Sequence, residues 1–363
     1  MCASIPPPNA RRFCTVSGDM DDALSLLGWN DTFRAEYESL HTEVAPSRVS
    51  RLDRGWSSLL PAGDDGEARR TRNIGAEVAV GDWVVASPDG ERVEHVLTRS
   101  SALTRRASFA GARGESHTLA ANVDVVGLLH ALTSPPNPRR LERELVLAFD
   151  SGARPVVVLT KSDATTLDAA ASEVAARVEA EVAQVALSVP VLVVSSRTGE
   201  GVDAIRDLIA GHRTLALLGA SGVGKSTLVN RLVGQELQRT AAVREGDDRG
   251  RHTTVAAELV AVPGGGWLID TPGLRAVSLW SSGHGIERAF ADVFDLMDRC
   301  RFRDCKHGDE PDCAVQSAIA AGTLRPERLV SLKRLVAEEA AIEDEQRERA
   351  KVADRHPRRN RIP

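Results

Sequence analysis

The sequence predicts a multidomain chain: an N-terminal β barrel, a central α/β domain whose motifs run in permuted order, and a C-terminal α-helical metal-binding domain. Three observations predict it. Short alternating apolar stretches separated by turn residues fill Ser47 to His117. Apolar strand-like runs alternate with helical stretches through the middle, with the glycine-rich loop Gly219 to Ser226 late among them. Three cysteines and a histidine crowd into Cys300 to Cys313.

At 363 residues the chain has room for two or three domains, each able to bury a core. The expected divisions are a flexible segment with a short helix at 1–45, the barrel at 46–118, the α/β domain at 119–279 and the metal-binding helices with a basic tail at 280–363. A net charge of -5 excludes a global field that would drive the protein onto nucleic acid, so any RNA contact must come from local patches. Met1 to Arg12 holds three prolines and no apolar core, unlike a signal peptide, and no apolar run reaches the length of a membrane span. A soluble cytoplasmic monomer with no membrane partner is expected.

Trp29 to Leu40 reads as a short amphipathic helix. Strands are expected at Arg48 to Leu52, Ala76 to Val80, Asp82 to Ala86 and Arg92 to Leu97, the signature of a small barrel. Pro61 to Glu67 forms an acidic, glycine-rich insertion within this region, for which the residues suggest no role. Arg99, Arg105, Arg106 and Arg113 close the region, either as a track for a phosphate backbone or as a solvated arginine surface. Buried strands follow at Val123 to Leu129, Pro155 to Thr160, Val189 to Ser195 and Thr214 to Gly219. Leu141, Leu145, Ala148 and Phe149 share a helical face, and Ala169 to Val185 is alanine-rich. Ala256 to Val262 and Trp267 to Asp270 flank Pro263 to Gly266 and read as a hairpin. Leu329 to Ala350 reads as a charged helix, and Arg347 to Arg361 as a basic tail that is either solvated or an arm for RNA.

Gly219, Ala220, Ser221, Gly222, Val223, Gly224, Lys225 and Ser226, with Thr227 beside them, follow an apolar strand and open a helix through Leu228, Leu232 and Val233, the context a phosphate loop requires. Backbone N–H groups would wrap the phosphates, Lys225 would reach the β and γ oxygens, and Ser226 would hold Mg²⁺. Thr160, Lys161, Ser162 and Asp163 end the strand before Ala164 and select the base. Asp163 can accept from guanine N1–H and the 2-amino group, whereas adenine would leave the carboxylate unpaired, a rejection of about 10⁴. Ser195 and Ser196, with Arg197, close the next strand, where backbone N–H groups can meet guanine O6. Asp270, Thr271, Pro272 and Gly273 follow the hairpin. Asp270 would bind Mg²⁺ through water, and the Gly273 N–H would sense the γ-phosphate. Within Gly250 to Thr254, either Thr253 or Thr254 should complete the Mg²⁺ shell. Leu274 cannot orient an attacking water, so His252 is the candidate catalytic residue, with a structural role its alternative.

A guanine-nucleotide switch is thus expected with its base-reading motif ahead of its phosphate loop, a circularly permuted P-loop GTPase. Its closing motif runs through Leu274 to Leu279 toward the metal-binding domain near Ile286, and this junction is expected to carry nucleotide state. A nucleotide-gated binding module and an ATP-dependent enzyme are the alternatives; Asp163 speaks against the second. Cys300, Cys305, His307 and Cys313 give C-x4-C-x-H-x5-C, a donor set suited to one structural tetrahedral Zn²⁺.

The permuted order, the Gly-Arg-His-Thr-Thr stretch at Gly250 to Thr254 and the block Cys300 to Val315 resemble the bacterial small-ribosomal-subunit biogenesis GTPases called RsgA or YjeQ. The resemblance runs from about Trp29 to the C-terminal helix. It implies that the barrel is an OB-fold, followed by a permuted GTPase domain and a zinc domain. It further implies GTP hydrolysis stimulated by the 30S ribosomal subunit and its 16S rRNA, assistance to late maturation through release of another 30S assembly factor, and a hydrolytic role for His252. The family motif usually opens with asparagine where this chain has Thr160, which puts the tether from base-reading turn to phosphate loop in question.

Overall fold

The computed structural model describes residues 20–53, 55–62, 68–106, 116–165, 168–234, 257–270 and 284–355. Helices α1 (Met20–Leu26) and α2 (Asp31–Ser39) open it. Asn30 caps α2, its side chain accepting from the Thr32 and Phe33 amides, which satisfies orphan donors of the first turn. Leu24, Trp29 and Phe33 are buried, and Trp29 meets Trp83 edge-on at 4.7 Å between ring centroids, so this segment is anchored on the strands that follow.

Strands β1 (Ser47–Asp53), β2 (Trp56–Pro61), β3 (Arg69–Arg72), β4 (Trp83–Ala86) and β5 (Val93–Val96) build the expected barrel. Antiparallel pairing joins β2 to β3 and to β1, and β4 to β1 and to β5. A bridge between Arg72 and Arg92, next to β5, closes the ring in the order β1-β2-β3-β5-β4. Five strands closed this way form the OB-type barrel, with Val49, Leu59, Val84 and Val93 in its core.

One expected strand fails. Of Ala76 to Val80 only Val80 pairs, in an isolated bridge to Ala120. The Ala79 amide donates instead to the Asp82 carboxylate at 2.7 Å, and Gly81 takes φ +91, so a side chain captures the backbone and turns it. Conversely, β3 is a run of arginines around Thr71 that no β propensity signals; pairing with β2 makes it a strand. The hairpin β6 (Ala102–Arg106) and β7 (Ser116–Ala121) leads into the central domain.

The central sheet runs β10 (Val191–Val193), β9 (Arg154–Thr160), β8 (Val125–Ala131), β11 (Thr214–Gly219), β13 (Trp267–Asp270), β12 (Glu258–Ala261). Pairing is parallel throughout except for the β12–β13 hairpin. Near-continuous apolar runs suit strands covered on both faces. Helices α3 (Pro138–Asp150), α4 (Ala169–Ala186), α5 (Val202–Ile209) and α6 (Lys225–Val233) make the crossovers. Strand β10 is shorter than the expected Val189 to Ser195, because the Ser195 amide leaves the ladder for the Glu200 carbonyl. The barrel adjoins this sheet where Arg51 of β1 pairs with Glu258 of β12.

Helices α7 (His284–Ala289), α8 (Ala291–Met297), α9 (Ala314–Ala320) and α10 (Pro326–Arg355) complete the described chain. Among the described residues no helix is long and apolar enough to cross a membrane.

Candidate nucleotide site and metal centre

Parallel α/β sheets offer their carboxyl ends as binding edges, where loops and helix N-termini converge. The expected motifs lie there together: Lys161 to Asp163 after β9, Ser195 and Ser196 beyond β10, Ala220 to Gly224 after β11 and Asp270 at the end of β13. Since β11 lies between β8 and β13, the phosphate loop occupies the middle of this edge although it comes late in the chain.

The base-reading turn is built by local strain and cross-linking. Lys161 adopts a left-handed conformation, φ 65 and ψ 36, which swings the chain into a 3-10 turn over Ser162–Ala164. Ser195 Oγ, fully buried, donates to Asp163 Oδ1 at 2.7 Å and accepts from the Thr198 amide at 3.1 Å. The two motifs expected to surround a purine are therefore bonded to each other. Thr160 Oγ1 donates to the Val223 carbonyl of the phosphate loop at 2.5 Å. The tether in question at this position is present, made by a hydroxyl.

Ser221 and Gly222 of the phosphate loop are exposed, Ala220, Gly224, Lys225 and Ser226 are half-buried, and Gly219 and Val223 are buried. Gly222 and Gly224 hold φ values of 76 and 104, which side-chain-bearing residues rarely adopt, and α6 begins immediately after. Arg231 on α6 donates to the Thr198 carbonyl at 3.3 Å, linking the helix behind the phosphate loop to the Ser195 loop. Sequence reasoning missed it, because a basic residue on a helix carries no local sign of its partner.

Asp270 Oδ1 is buried without a hydrogen-bond partner among the described residues. Burial raises the Asp270 pKa, and the charge of Lys225 opposes that rise. A buried, orphaned carboxylate oxygen beside the phosphate-loop lysine is the environment a hydrated cation would satisfy. Ser162 Oγ and Ser196 Oγ are likewise buried and unpartnered. His252, Thr253, Thr254, Thr271, Pro272, Gly273 and the Leu274 to Leu279 junction lie outside the described residues, as do residues 1–19, the core of the 61–67 insertion and the tail from His356.

In the C-terminal helices, one ligand atom each from Cys300, Cys305, His307 and Cys313 lies within 4.8 Å of the others. Cys300 Sγ is 3.9 Å from Cys313 Sγ, and each of these two sulfurs is 3.6 Å from His307 Nδ1. Tetrahedral zinc with Zn–S near 2.3 Å would separate two sulfurs by about 3.8 Å, so the donor set fits that ion. His307 is fixed by its backbone carbonyl, which accepts from Gln316 Nε2 and Lys333 Nζ. Its pKa is lowered by burial and then by Lys333, keeping the ring in the neutral, ligating form. Burial pushes the Cys305 thiol up to about 11, a rise that a bound divalent cation would reverse.

Of the four arginines read as either an RNA track or a solvated surface, one is described in full. Arg99 is committed internally: Nε and Nη2 donate to the Asp82 carboxylate, each at 2.8 Å, Nη1 to Thr118 Oγ1 and Nη2 to the Glu77 carbonyl. The side chains of Arg105 and Arg106, and all of Arg113, lie outside the description. A different group is displayed. Arg70 and Arg72 of β3 place their guanidinium carbons 5.1 and 5.0 Å from the ring centroid of Trp56 on β2. The usable signal was the pairing of a barrel tryptophan with the Arg69 to Arg72 run.

The RsgA GTPase family model matches residues 96–280. A small ribosomal subunit biogenesis GTPase RsgA of Streptomyces coelicolor is 40% identical over 96% of this chain and 96% of its own length. The chain belongs to the RsgA GTPase family. It is a GTP hydrolase with circularly permuted architecture. Another RsgA, from Mesorhizobium japonicum, is 40% identical over 86% of this chain and 89% of its own. Among solved structures, YjeQ from Thermotoga maritima superposes with a TM-score of 0.59 at 25% identity, covering 82% of this chain and 98% of that one. YloQ, described as a circularly permuted GTPase, gives a TM-score of 0.58 at 23% identity over 88% and 98%, a likeness of fold.

Proposed function

We propose that this chain is a cytoplasmic, monomeric GTPase of small ribosomal subunit biogenesis that binds the 30S subunit, is stimulated by it and assists its late maturation. The observation that carries the nucleotide half is the bonded series Ser195–Asp163 and Thr160–Val223, which joins the guanine-reading turn to the phosphate loop. The printed names of the Streptomyces and Mesorhizobium relatives support the ribosomal half.

In this reading Asp163 and Lys161 hold the base and the loop at Ser195 and Ser196 covers it. The backbone from Gly219 to Thr227, with Lys225, holds the phosphates. Mg²⁺, entering with GTP, would be held by Ser226, Asp270 and Thr253 or Thr254, and would neutralise charge on the β and γ oxygens. Gly273 senses the γ-phosphate, and His252 positions or deprotonates the attacking water. Zn²⁺ held by Cys300, Cys305, His307 and Cys313 is structural, since four protein donors leave no open position. The barrel, 46–118, offers 16S rRNA the Trp56, Arg70 and Arg72 surface, the GTPase body is 119–279, and the helices from 280 onward engage the subunit or another assembly factor there.

The test is GTP turnover by the full-length protein with and without purified 30S subunits, together with co-sedimentation in GDP and in a nonhydrolysable GTP analogue. Stimulation and analogue-dependent pelleting are expected. Turnover indifferent to the subunit would favour a nucleotide-gated binding module instead. His252→Ala should abolish the stimulated rate; an unchanged single-turnover rate would remove His252 from the mechanism.

A further inference from the structure

The barrel and the central sheet share more than an edge, because the pairing of β1 with β12 lets one row of opposed residues be followed from one into the other. Arg70 of β3 opposes Ser58 of β2, Ser58 opposes Arg51 of β1, Arg51 opposes Glu258 of β12, and Glu258 opposes Asp270 of β13. Directly opposed residues share one face of a ladder, with Cβ atoms about 4.5–5.5 Å apart. The row therefore runs from the arginine-bearing surface of the barrel to the carboxylate assigned to Mg²⁺. Arg51 and Arg70 are exposed, while Ser58, Glu258 and Asp270 are half-buried. Glu258 stands between a cation and a carboxylate.

Its charge is felt on the Asp270 side. Asp270 is held above the usual carboxylate range first by burial, against the charge of Lys225, and Glu258 adds to the rise. Two like charges on neighbouring strands repel unless a cation joins them. On the other side Arg51 offers the opposite charge at the same cross-strand spacing. Arg51 and Asp270 themselves are two strands apart, about 9.5 Å, which exceeds the Debye length of about 8 Å at physiological salt. Influence of one on the other passes mainly through Glu258.

We propose that Glu258 is a shared carboxylate that couples an RNA phosphate on the barrel to divalent-cation binding at Asp270. The proposal rests on the reading of Asp270 as a Mg²⁺ ligand and of the barrel as the RNA-facing domain. A glutamate side chain long enough to lean along the row can serve one neighbour or the other. With Arg51 free, Glu258 is drawn toward the guanidinium; with Arg51 engaged by phosphate, it turns to the cation. Exposed arginines are the usual partners of a phosphate backbone, and Arg70 in the same row, with Arg72 beside it, gives that backbone a second and third contact. RNA on the barrel therefore lowers the Mg²⁺ concentration that the nucleotide site requires.

The experiment uses the full-length, zinc-replete protein carrying a fluorescent GDP, with nucleotide release followed while free Mg²⁺ is varied. The readout is the Mg²⁺ concentration that gives half-maximal retention. A short oligouridylate should lower this half-point about fivefold in the parent, the scale of one cross-strand charge pair. Arg51→Gln should lower it to a similar extent without RNA, and Arg51→Lys, which keeps the charge, should stay within about twofold of the parent. Glu258→Gln should raise the half-point and make it indifferent both to the oligonucleotide and to Arg51→Gln. An Arg51→Gln effect that persists undiminished beside Glu258→Gln would overturn the proposal, and so would an oligonucleotide that binds, by anisotropy, yet leaves the parent half-point unmoved. Asp270→Asn forms a separate arm and should abolish the Mg²⁺ dependence of retention. Dependence retained there would defeat the reading of the cation site itself. An oligonucleotide that does not bind would defeat the RNA reading of the barrel and the coupling with it, whereas normal binding and a normal Asp270→Asn loss with an unmoved half-point would defeat only the role of Glu258.

Discussion

Two arginines, Arg48 and Arg328, are almost wholly buried at the two places where the central domain meets its neighbours, and they are held by opposite means. Arg48, on β1 of the barrel, donates to the Leu27 carbonyl after α1, to Thr214 Oγ1 at 2.7 Å where β11 begins, and to the Asn122 carbonyl at 3.3 Å. No carboxylate touches it in these bonds. Burial pulls its pKa down to about 10, with the more distant charges of Asp124 and Asp82 opposing, so it stays charged at neutral pH. Arg328, on α10, grips Asp292 of α8 with two bonds at 2.6 and 3.1 Å and Glu142 of α3 at 3.0 Å, and stacks on Phe290 at 4.3 Å. The barrel joint is thus held by neutral dipoles, the metal-domain joint by formal charges. Neutral acceptors released from a buried site cost a hydrogen bond's desolvation; carboxylates left there cost far more. The second joint should therefore tolerate one-sided change least.

The largest effect should come from the metal. If zinc organises the far side of the Arg328 joint, chelation should unfold α9 and its loop, with a loss on the order of 10 kcal/mol of local stability. Nucleotide binding at the sheet edge should survive. Hydrogen exchange across 300–320 reads this; protection unchanged by a strong chelator would break the assignment.

Next is Arg328→Met, which strands Glu142 and Asp292 and should destabilise by about 3–5 kcal/mol in urea melts. Neutralising the partners as well, with Glu142→Gln and Asp292→Asn, should recover most of that loss. A double-mutant cycle with no recovery would show that packing, and not charge, holds the joint.

Arg48→Met leaves only neutral acceptors behind and should cost less, about 1–3 kcal/mol. A loss equal to that of Arg328→Met would erase the contrast between the joints. The smallest effect belongs to Arg143, which meets Glu338 of α10 at 2.6 Å with both side chains about one-third exposed. Arg143→Ala should cost about 0.5 kcal/mol, and the loss should shrink further in high salt.

Much of the central sheet was legible because its strands are apolar runs bounded by turn residues. Thr214 to Gly219 and Trp267 to Asp270 appear with the expected bounds. The cluster of Cys300, Cys305, His307 and Cys313 was legible too, since four donors within one short segment converge through local turns. Harder to see were α1, inside a segment read as flexible, and α5, whose few apolar positions follow a glycine. Leu24 is buried against tertiary partners, which a short polar segment does not advertise. The partners of Arg99 were hidden for a related reason: a cluster of like charges shows the field it could make and not the Asp82 carboxylate that neutralises one member.

The sequence by itself determined which chemistry this chain carries. The phosphate-loop glycines, the left-handed turn at Lys161 and the cysteine cluster take their shape from backbone geometry set within a few residues, so identity and spacing suffice to expect them. The tertiary structure alone decided how the parts are joined. Thr160 and Val223 are 63 positions apart, Arg48 and Thr214 166, and Arg328 and Glu142 186. At such separations a hydroxyl or a guanidinium has no local pattern that names its partner. Only the sheet order, which sets β9 two strands from β11 and brings α3 against the C-terminal helices, selects one acceptor from many.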